Sequence, residues 1–495
     1  MKMMIFYYYC WNSTLVLFLL YVVYGSWRRL VWRRKLPPGS VGLPFIGETI
    51  EFISSSYSSR PEGFMDKRRL KYGKVFKSHL FGSPTIVTVD AEISRIVLQS
   101  DSSSFVPSYP KSLTELMGES SILLISGNLQ KKIHGLIGSF FKSGYLKTQF
   151  TDDMETHVHA LMDGWEDGDR ILVQDEAKQI AFKVLVRGLI GMEPGEEMQY
   201  LMEQFQQFIG GLISLPIKIP GSRLHRSLQA KKRMTKIVKR IINDRRREKK
   251  KNRSCSNQQQ QPRDVIDVLV NDDSPKLTDD LISDNMIDLF IPGEDSVPTL
   301  ITLLVKYLSE SPAALLQIEE ENAEMKTSKV TKGEELVWTD YLSMPFTQNV
   351  ISETLRLGNI ISGIMRRATR DIEIKGHFIP KGWCVFLYFR SIHLDRTIYD
   401  DPHTFNPWRW QKKKKEEEER SSFTPFGGGR RLCPGLDLAR LEATIFLHHL
   451  VTNFTWIAED DTVVNFPTVR LKSGMPIRIT RKKKRIYPSS HTCEC

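Results

Sequence analysis

The chain has 495 residues, 41% of them hydrophobic, which is enough to bury a substantial core without disulfides or structural metals. Lysine and arginine total 70 against 58 aspartate and glutamate, a net charge of +12, compatible with an acidic partner, an anionic membrane surface or nucleic acid without choosing among them. Cys10, Cys255, Cys384, Cys433, Cys493 and Cys495 are scattered with no CxxC pair, so they suggest neither a disulfide framework nor a zinc finger, and a reducing, cytosol-facing environment fits best.

In chain order, the first element is an almost wholly apolar run from Met4 to Tyr24, mildly interrupted by Asn12, Ser13 and Thr14. It has the length of roughly 20 residues that crosses a bilayer as a helix. Arg28, Arg29, Arg33, Arg34 and Lys35 follow it and only Lys2 precedes it, an asymmetry that keeps the downstream side in the cytosol. No small-x-small cleavage site precedes the basic cluster, and Trp27 with the arginines resembles a stop-transfer flank, so 1–27 is expected to be an uncleaved membrane anchor rather than a signal peptide. Residues 28–47, with Pro37-Pro38-Gly39 and Pro44, predict a stiff, basic and proline-rich hinge. The remainder, 48–480, reads as one domain. Helical patterns dominate from about Ser112 to Leu357, and short β-like runs lie near the two ends, at Thr85–Val89, Asp371–Ile374, Cys384–Tyr388 and Ile477–Thr480. The fold class is therefore mainly α with small β-sheets.

Lys249 to Arg263, with Gln258–Gln261 and Pro262, predicts an exposed loop, and Lys412–Lys415 followed by Glu416–Glu419 a second insertion. The basic stretch Lys231–Lys251 is interleaved with Met234, Ile237, Val238, Ile241 and Ile242, the pattern of a helix with one solvated face, so no nucleic-acid partner is inferred. The basic segment 481–495 is expected to be a disordered tail.

The stretch that carries chemistry is Phe426-Gly427-Gly428-Gly429-Arg430-Arg431-Leu432-Cys433-Pro434-Gly435. Its glycines permit a tight turn with close backbone approach to a flat object, and Pro434 is expected to open a helix from Gly435 to about Val451. Cys433 then falls at the helix N-cap, where the helix dipole and neighbouring arginines favour the thiolate that metals require. Glu353 and Arg356 lie three apart in a helical pattern, Pro345–Leu357, and can pair on one face. Thr278 is placed to cap a long helix that contains Ile291-Pro292-Gly293-Glu294-Asp295-Ser296-Val297-Pro298. Its prolines lack N–H groups, which predicts a local bend with room for water or O2.

The segment from Phe426 to Gly435 resembles the haem-binding signature of the cytochrome P450 superfamily, FxxGxRxCxG, matched at Phe426, Gly429, Arg431, Cys433 and Gly435, with Ala439 beyond. The resemblance implies the cytochrome P450 fold and haem b, with Cys433 as the axial ligand of the metal, Arg431 on a propionate and Phe426 beside the sulfur. A thiolate ligand suits oxygen activation rather than oxygen carriage. It further implies that Arg409, in Phe405-Asn406-Pro407-Trp408-Arg409-Trp410, joins Glu353 and Arg356 in a structural cluster, and that Arg366 binds a propionate. Asp295 and Ser296 stand at the acid and alcohol of the family's A-G-x-D/E-T oxygen-activation motif, departing from it at Pro292 and Ser296. Gln130 and His134 stand where an aromatic or His and an Arg commonly touch a propionate, so His134 is a candidate haem contact.

Within the superfamily, the segments Ile291–Ser296, Glu353–Ile361 and Ile379–Trp383 are similar to those of plant brassinosteroid hydroxylases that act on C-23 of 22-hydroxylated campestanes such as 3-epi-6-deoxocathasterone. The resemblance implies substrate-facing segments at Ser120–Ile125, Met286–Phe290, Ile360–Met365 and Val469–Met475, whose mostly apolar composition suits a sterol. It also implies an endoplasmic reticulum membrane location and electrons from NADPH through a flavoprotein NADPH-cytochrome reductase, whose acidic face would meet Lys131, Lys132, Arg430 and Arg431. Hydroxylation elsewhere on a related sterol or triterpenoid, a haem-thiolate isomerase or dehydratase that uses no O2, and a haem-binding sensor are the rival readings. Dependence on NADPH separates the oxygenase from the isomerase.

Overall fold

The computed structural model describes residues 36–483 apart from 44–45, 59, 213, 215–217, 256–260, 273, 412–421 and 467. The anchor 1–27, the start of the hinge at 28–35, the core of the glutamine-rich loop, the Lys412–Glu419 run and most of the tail lie outside the described residues. Among the described residues no single helix is long and apolar enough to cross a membrane. The described part of the hinge runs along the strand Val75–Leu80, with the Lys77 N–H donating to Pro38 O at 2.9 Å and Gly39 bridging Lys77.

Helices make up most of the fold, and they are broken where the sequence lacks a donor or offers a cap. Thr278 accepts from the Leu281 N–H at 3.3 Å and opens the helix Asp279–Leu289, as its hydroxyl at an N-cap predicts. That helix does not end at the prolines. It is broken at Phe290 and Asp295, restarting as Ile291–Glu294 and again as Ser296–Ser309. The helix Pro345–Gly358 begins on a proline and ends at Asn359, whose φ of 47° is the left-handed stop that asparagine tolerates. Leu436–Asn453 buries Leu438, Leu441, Ile445, Phe446 and Leu450 on several faces, so it runs through the main core rather than along its surface.

A five-stranded sheet has the order Val75–Leu80, Ser83–Thr88, Cys384–Leu387, Ile364–Ala368, Phe105–Pro107. Cys384–Leu387 is buried along its whole length, as a central strand covered on both faces must be. It runs parallel to Ser83–Thr88, Thr85 facing Cys384, and antiparallel to Ile364–Ala368, where Arg366 faces Val385. Pro476–Arg481 is the middle strand of a three-stranded sheet, and Ile372–Ile374 forms a hairpin with His377–Ile379.

Candidate functional site

The cysteine segment is a closed loop. The Cys433 N–H donates to Phe426 O at 3.1 Å, the Gly427 N–H to Thr424 O at 3.0 Å and the Leu432 N–H to Gly429 O at 3.2 Å, so Phe426 and Cys433 stand side by side at the loop's neck. Gly429 has φ of +62°, and a Cβ there would lie 2.2 Å from Leu98 O. Only glycine lets this loop press against the end of the helix Ala91–Gln99. The helix itself starts at Leu436 with Gly435 as N-cap, so Cys433 and Pro434 precede it rather than cap and open it. Burial pushes the Cys433 thiol up from its ordinary value, opposed by the Gly435 N–H directed at the sulfur. The expected lowering by helix dipole and arginines is outweighed because desolvation penalises the charged form of a group enclosed by protein.

The arginines are arranged around this loop in an unusual way. Arg366, on the strand Ile364–Ala368, and Arg431 are both substantially buried, and neither is matched by a carboxylate among the described residues. Burial, and then the nearby Arg366 charge, bring Arg431 down to about 10. Burial likewise lowers Arg366, which the Tyr109 hydroxyl partly offsets. Arg431 donates to the carbonyls of Ile122 at 3.1 Å, Leu123 at 3.4 Å and Ile125. Two buried guanidinium groups without a counter-ion are costly, and the pair fits a ligand that brings its own acidic groups. His134 Nε2 donates to Leu432 O at 2.8 Å and Gln130 Nε2 to Arg430 O at 3.3 Å. Both side chains therefore hold the loop's backbone on either side of Arg431.

Behind the loop lies the acidic centre Glu353, fully buried with Arg356. Its carboxylate accepts from Arg356 Nε at 2.9 Å and Nη2 at 2.8 Å, from Arg409 Nε at 3.0 Å, from Trp410 Nε1 at 3.0 Å and from the Asn406 N–H at 3.0 Å. Arg356 continues to the carbonyls of His393 at 2.8 Å and Pro402 at 2.7 Å. Burial, with the Arg356 charge, drives His393 down to about 3. The imidazole is therefore neutral, donating from Nδ1 to Asn359 Oδ1 at 2.7 Å and accepting at Nε2 from the Thr424 N–H at 3.1 Å. This ties the cluster to the first turn of the cysteine loop.

In the helix that Thr278 caps, a break falls at Asp295, immediately before Ser296. Asp295 accepts from the Thr468 hydroxyl at 3.2 Å, and burial raises its carboxyl above the usual carboxylate range, opposed first by that hydroxyl. Glu294 pairs with Lys178 at 3.0 Å, and Gly293 packs so closely on the helix Val173–Ile190 that a Cβ would meet Leu185 at 3.1 Å and the Ala181 carbonyl at 3.3 Å. Ser296 is half-buried at the first position of its helix. Asn285 Nδ2 donates to Ser120 O at 3.1 Å and Thr299 Oγ1 to Val469 O at 3.2 Å, so the broken helix holds the Ser120–Ile125 and Val469–Met475 segments on either side of Asp295.

Sequence reasoning missed Tyr109, His393, Thr468 and Asp288. Asp288 was counted inside an apolar segment, yet burial pushes its carboxyl up to about 7 against the pull of the Ser121 hydroxyl. A charge in an apolar stretch was a usable signal, whereas the other three act through partners remote in sequence. On the outer face, Lys131, Lys132 and Arg430 are exposed, Lys132 pairing with Asp272 at 2.8 Å, while Arg431 turns inward.

Comparison with known proteins agrees with this arrangement. The family model described as Cytochrome P450 matches residues 37–478. The chain is 64% identical over 450 residues to Cytochrome P450 90D2 of Oryza sativa subsp. japonica, covering 91% of this chain and 90% of the relative. It is 59% identical over 447 residues to the 3-epi-6-deoxocathasterone 23-monooxygenase CYP90D1 of Arabidopsis thaliana, covering 90% of each. The 3beta,22alpha-dihydroxysteroid 3-dehydrogenase of Arabidopsis thaliana is 43% identical over 457 residues, with coverage of 92% and 95%. Among solved structures, retinoic acid bound cyanobacterial CYP120A1 superposes with a TM-score of 0.78 at 23% identity, covering 90% of this chain and 99% of that one. The loop around Cys433, the Glu353 cluster and the broken helix thus sit in the chain order and fold of one family, and this chain belongs to the cytochrome P450 family of haem-thiolate monooxygenases.

Proposed function

We propose that this enzyme hydroxylates C-23 of a 22-hydroxylated campestane sterol such as 3-epi-6-deoxocathasterone, a step of brassinosteroid biosynthesis, using O2 and electrons from NADPH delivered by a flavoprotein reductase. The observation that carries the reading is the 59% identity, over 90% of each chain, to an enzyme named for that reaction. Haem b held by a thiolate supplies oxygen activation when bound. The residues fit it. Cys433 offers a half-buried free thiol, Gly429 lets the loop close against Leu98, Gly435 adds no side chain beside the thiol, Phe426 packs beside the sulfur, and the unmatched Arg366 and Arg431 receive two propionates. His134 and Gln130 position the loop backbone from behind and support Arg431.

Asp295 and Ser296 are the groups proposed to manage protons on the oxygen side. Asp295, held by Thr468, would recruit water at the helix break, and the Ser296 hydroxyl would hold and relay a proton there. Lys131 and Arg430 would meet the acidic face of the reductase. The segment 1–27 would anchor the enzyme in the endoplasmic reticulum membrane with 28–47 as its hinge, 48–480 facing the cytosol as catalytic domain and 481–495 as tail. Deleting 1–27 is then expected to release the protein from membranes with its haem spectrum intact.

The test is incubation of the enzyme with reductase, NADPH and a panel of 22-hydroxylated sterols, with products identified by mass spectrometry. A 23-hydroxylated product is expected. A 3-oxo product, the change named in the 43%-identical dehydrogenase, would overturn the regiochemistry, and turnover without NADPH would overturn the oxygenase reading.

A further inference from the structure

Away from the cysteine loop, Glu155 and His159 lie four residues apart on the helix Gly144–Asp163, so both point from one face. His449 reaches the same place from the helix Leu436–Asn453, which packs against it. Glu155 Oε2 is 2.6 Å from His449 Nε2 and 3.4 Å from His159 Nε2. One ligand atom from each of the three can be chosen so that all lie within 4.8 Å of one another. The two imidazole rings stand 4.5 Å apart at 66°.

These separations suit one small cation. Bonds of about 2.0–2.2 Å from a tetrahedral zinc ion place neighbouring donors roughly 3.3–3.5 Å apart, so the His159–Glu155 spacing already fits and the His449–Glu155 pair has to open by less than an ångström. The other carboxylate oxygen, Glu155 Oε1, accepts from the Tyr341 hydroxyl, the kind of outer contact that fixes a metal-binding carboxylate. His159 has a half-exposed side chain (55%), which leaves an open position on the solvent side. His448 and His157 are engaged elsewhere, with Asn322 at 2.9 Å and Asp153 O at 2.7 Å, so the donor set is Glu155, His159 and His449. Asp152 adds negative charge near Glu155.

We propose that Glu155, His159 and His449 bind a divalent transition-metal ion of the zinc class, with a solvent molecule completing the coordination. Two imidazoles and one carboxylate favour such an ion over magnesium or calcium, which want all-oxygen sites. His449 stands roughly 20 Å along its helix from the cysteine end, so this site is separate from the haem loop. The ion joins the helix Gly144–Asp163 to the helix that follows Cys433, adding to the Lys147–Asp437 ion pair at 2.9 Å. It stabilises the native state by mass action.

The experiment uses the full-length, haem-loaded enzyme carrying Cys493→Ser and Cys495→Ser, which removes the two neighbouring C-terminal thiols as a competing zinc site. Zinc, magnesium and calcium are titrated by calorimetry, retained metal is measured after dialysis, and the thermal midpoint is followed. One zinc retained per chain and a raised midpoint are expected, with no response to magnesium or calcium. His159→Gln changes an exposed side chain, and an unaltered ferrous-carbonyl spectrum certifies its fold. This variant and His449→Gln are expected to weaken zinc by more than roughly 100-fold, beyond the loss typical of an outer contact. No zinc retained by the parent, or undiminished binding by His159→Gln, overturns the site.

Discussion

Replacing Glu353 by glutamine keeps the shape of the side chain and removes the charge that holds Arg356, Arg409 and Trp410 together. The carboxylate and Arg356 are both 0% exposed and Arg409 is 8% exposed, so solvent cannot take over. Removing one partner of a buried ion pair costs about 3–5 kcal/mol, mostly because the remaining charge is left unmatched. The lower end applies here, since Arg356 keeps the His393 and Pro402 carbonyls, Arg409 keeps the Asp400 carbonyl at 2.9 Å, and the glutamine retains one acceptor oxygen. About 3 kcal/mol is a large part of the ~5–15 kcal/mol that holds a domain folded. Trp410→Phe deletes a single hydrogen bond to a charged acceptor and is expected to cost less, about 1.5–3 kcal/mol. The assay is urea unfolding of the haem-loaded protein at constant slope, beside haem incorporation read from the ferrous-carbonyl spectrum. A Glu353→Gln variant within ~1 kcal/mol of the parent, the range of a solvent-exposed pair, would refute the reasoning that this cluster works through buried charge.

Cys433→Ala is expected to yield protein without the long-wavelength Soret band of a thiolate-ligated ferrous carbonyl complex, because Cys384, the other cysteine whose side chain is described, is enclosed in a central strand beside Ser108; a normal band would remove Cys433 from the ligand role. Ser296→Ala should lower the ratio of hydroxylated sterol to NADPH oxidised and release more peroxide, while Ser296→Thr, which keeps the hydroxyl, stays coupled; equal coupling in the alanine variant would hand the proton role to water or to the substrate's own hydroxyl. Glu442 is buried, its Oε2 has no partner, and burial pushes its carboxyl from 4.5 up to about 8. A raised folded-state value means that stability is complete below about pH 4.5 and falls as pH rises toward about 8. Glu442→Gln should therefore flatten this part of the stability–pH curve and exceed the parent above pH 8 by at most about 5 kcal/mol; an unchanged curve would show that Glu442 is not the group responsible.

The turn at the cysteine loop and the Glu353–Arg356 pair were legible in the amino-acid sequence because they rest on local rules, whereas the family and the place of Arg409 beside that pair, 56 residues from Glu353, came from resemblance. A glycine run before Cys433 permits one kind of turn, Glu353 and Arg356 meet because a helix repeats every 3.6 residues, and Thr278 caps because its hydroxyl is three residues from the Leu281 N–H. Strands with continuous apolar runs, such as Cys384–Leu387, announced themselves for the same reason. What the tertiary structure alone decided depends on what surrounds a group. The Cys433 thiol is raised rather than lowered because enclosure outweighs the dipole of a helix that starts only after Gly435. His134 and Gln130 face the loop backbone because the helix Gly127–Lys142 packs there. Asp295 meets Thr468 from a segment 173 residues away. The Glu155–His159–His449 cluster had no sequence signature at all, since its spacing is set by the packing of two helices whose contributing histidines are nearly three hundred residues apart, and desolvation, long-range pairing and ligand geometry are properties of that packing rather than of any local stretch of chain.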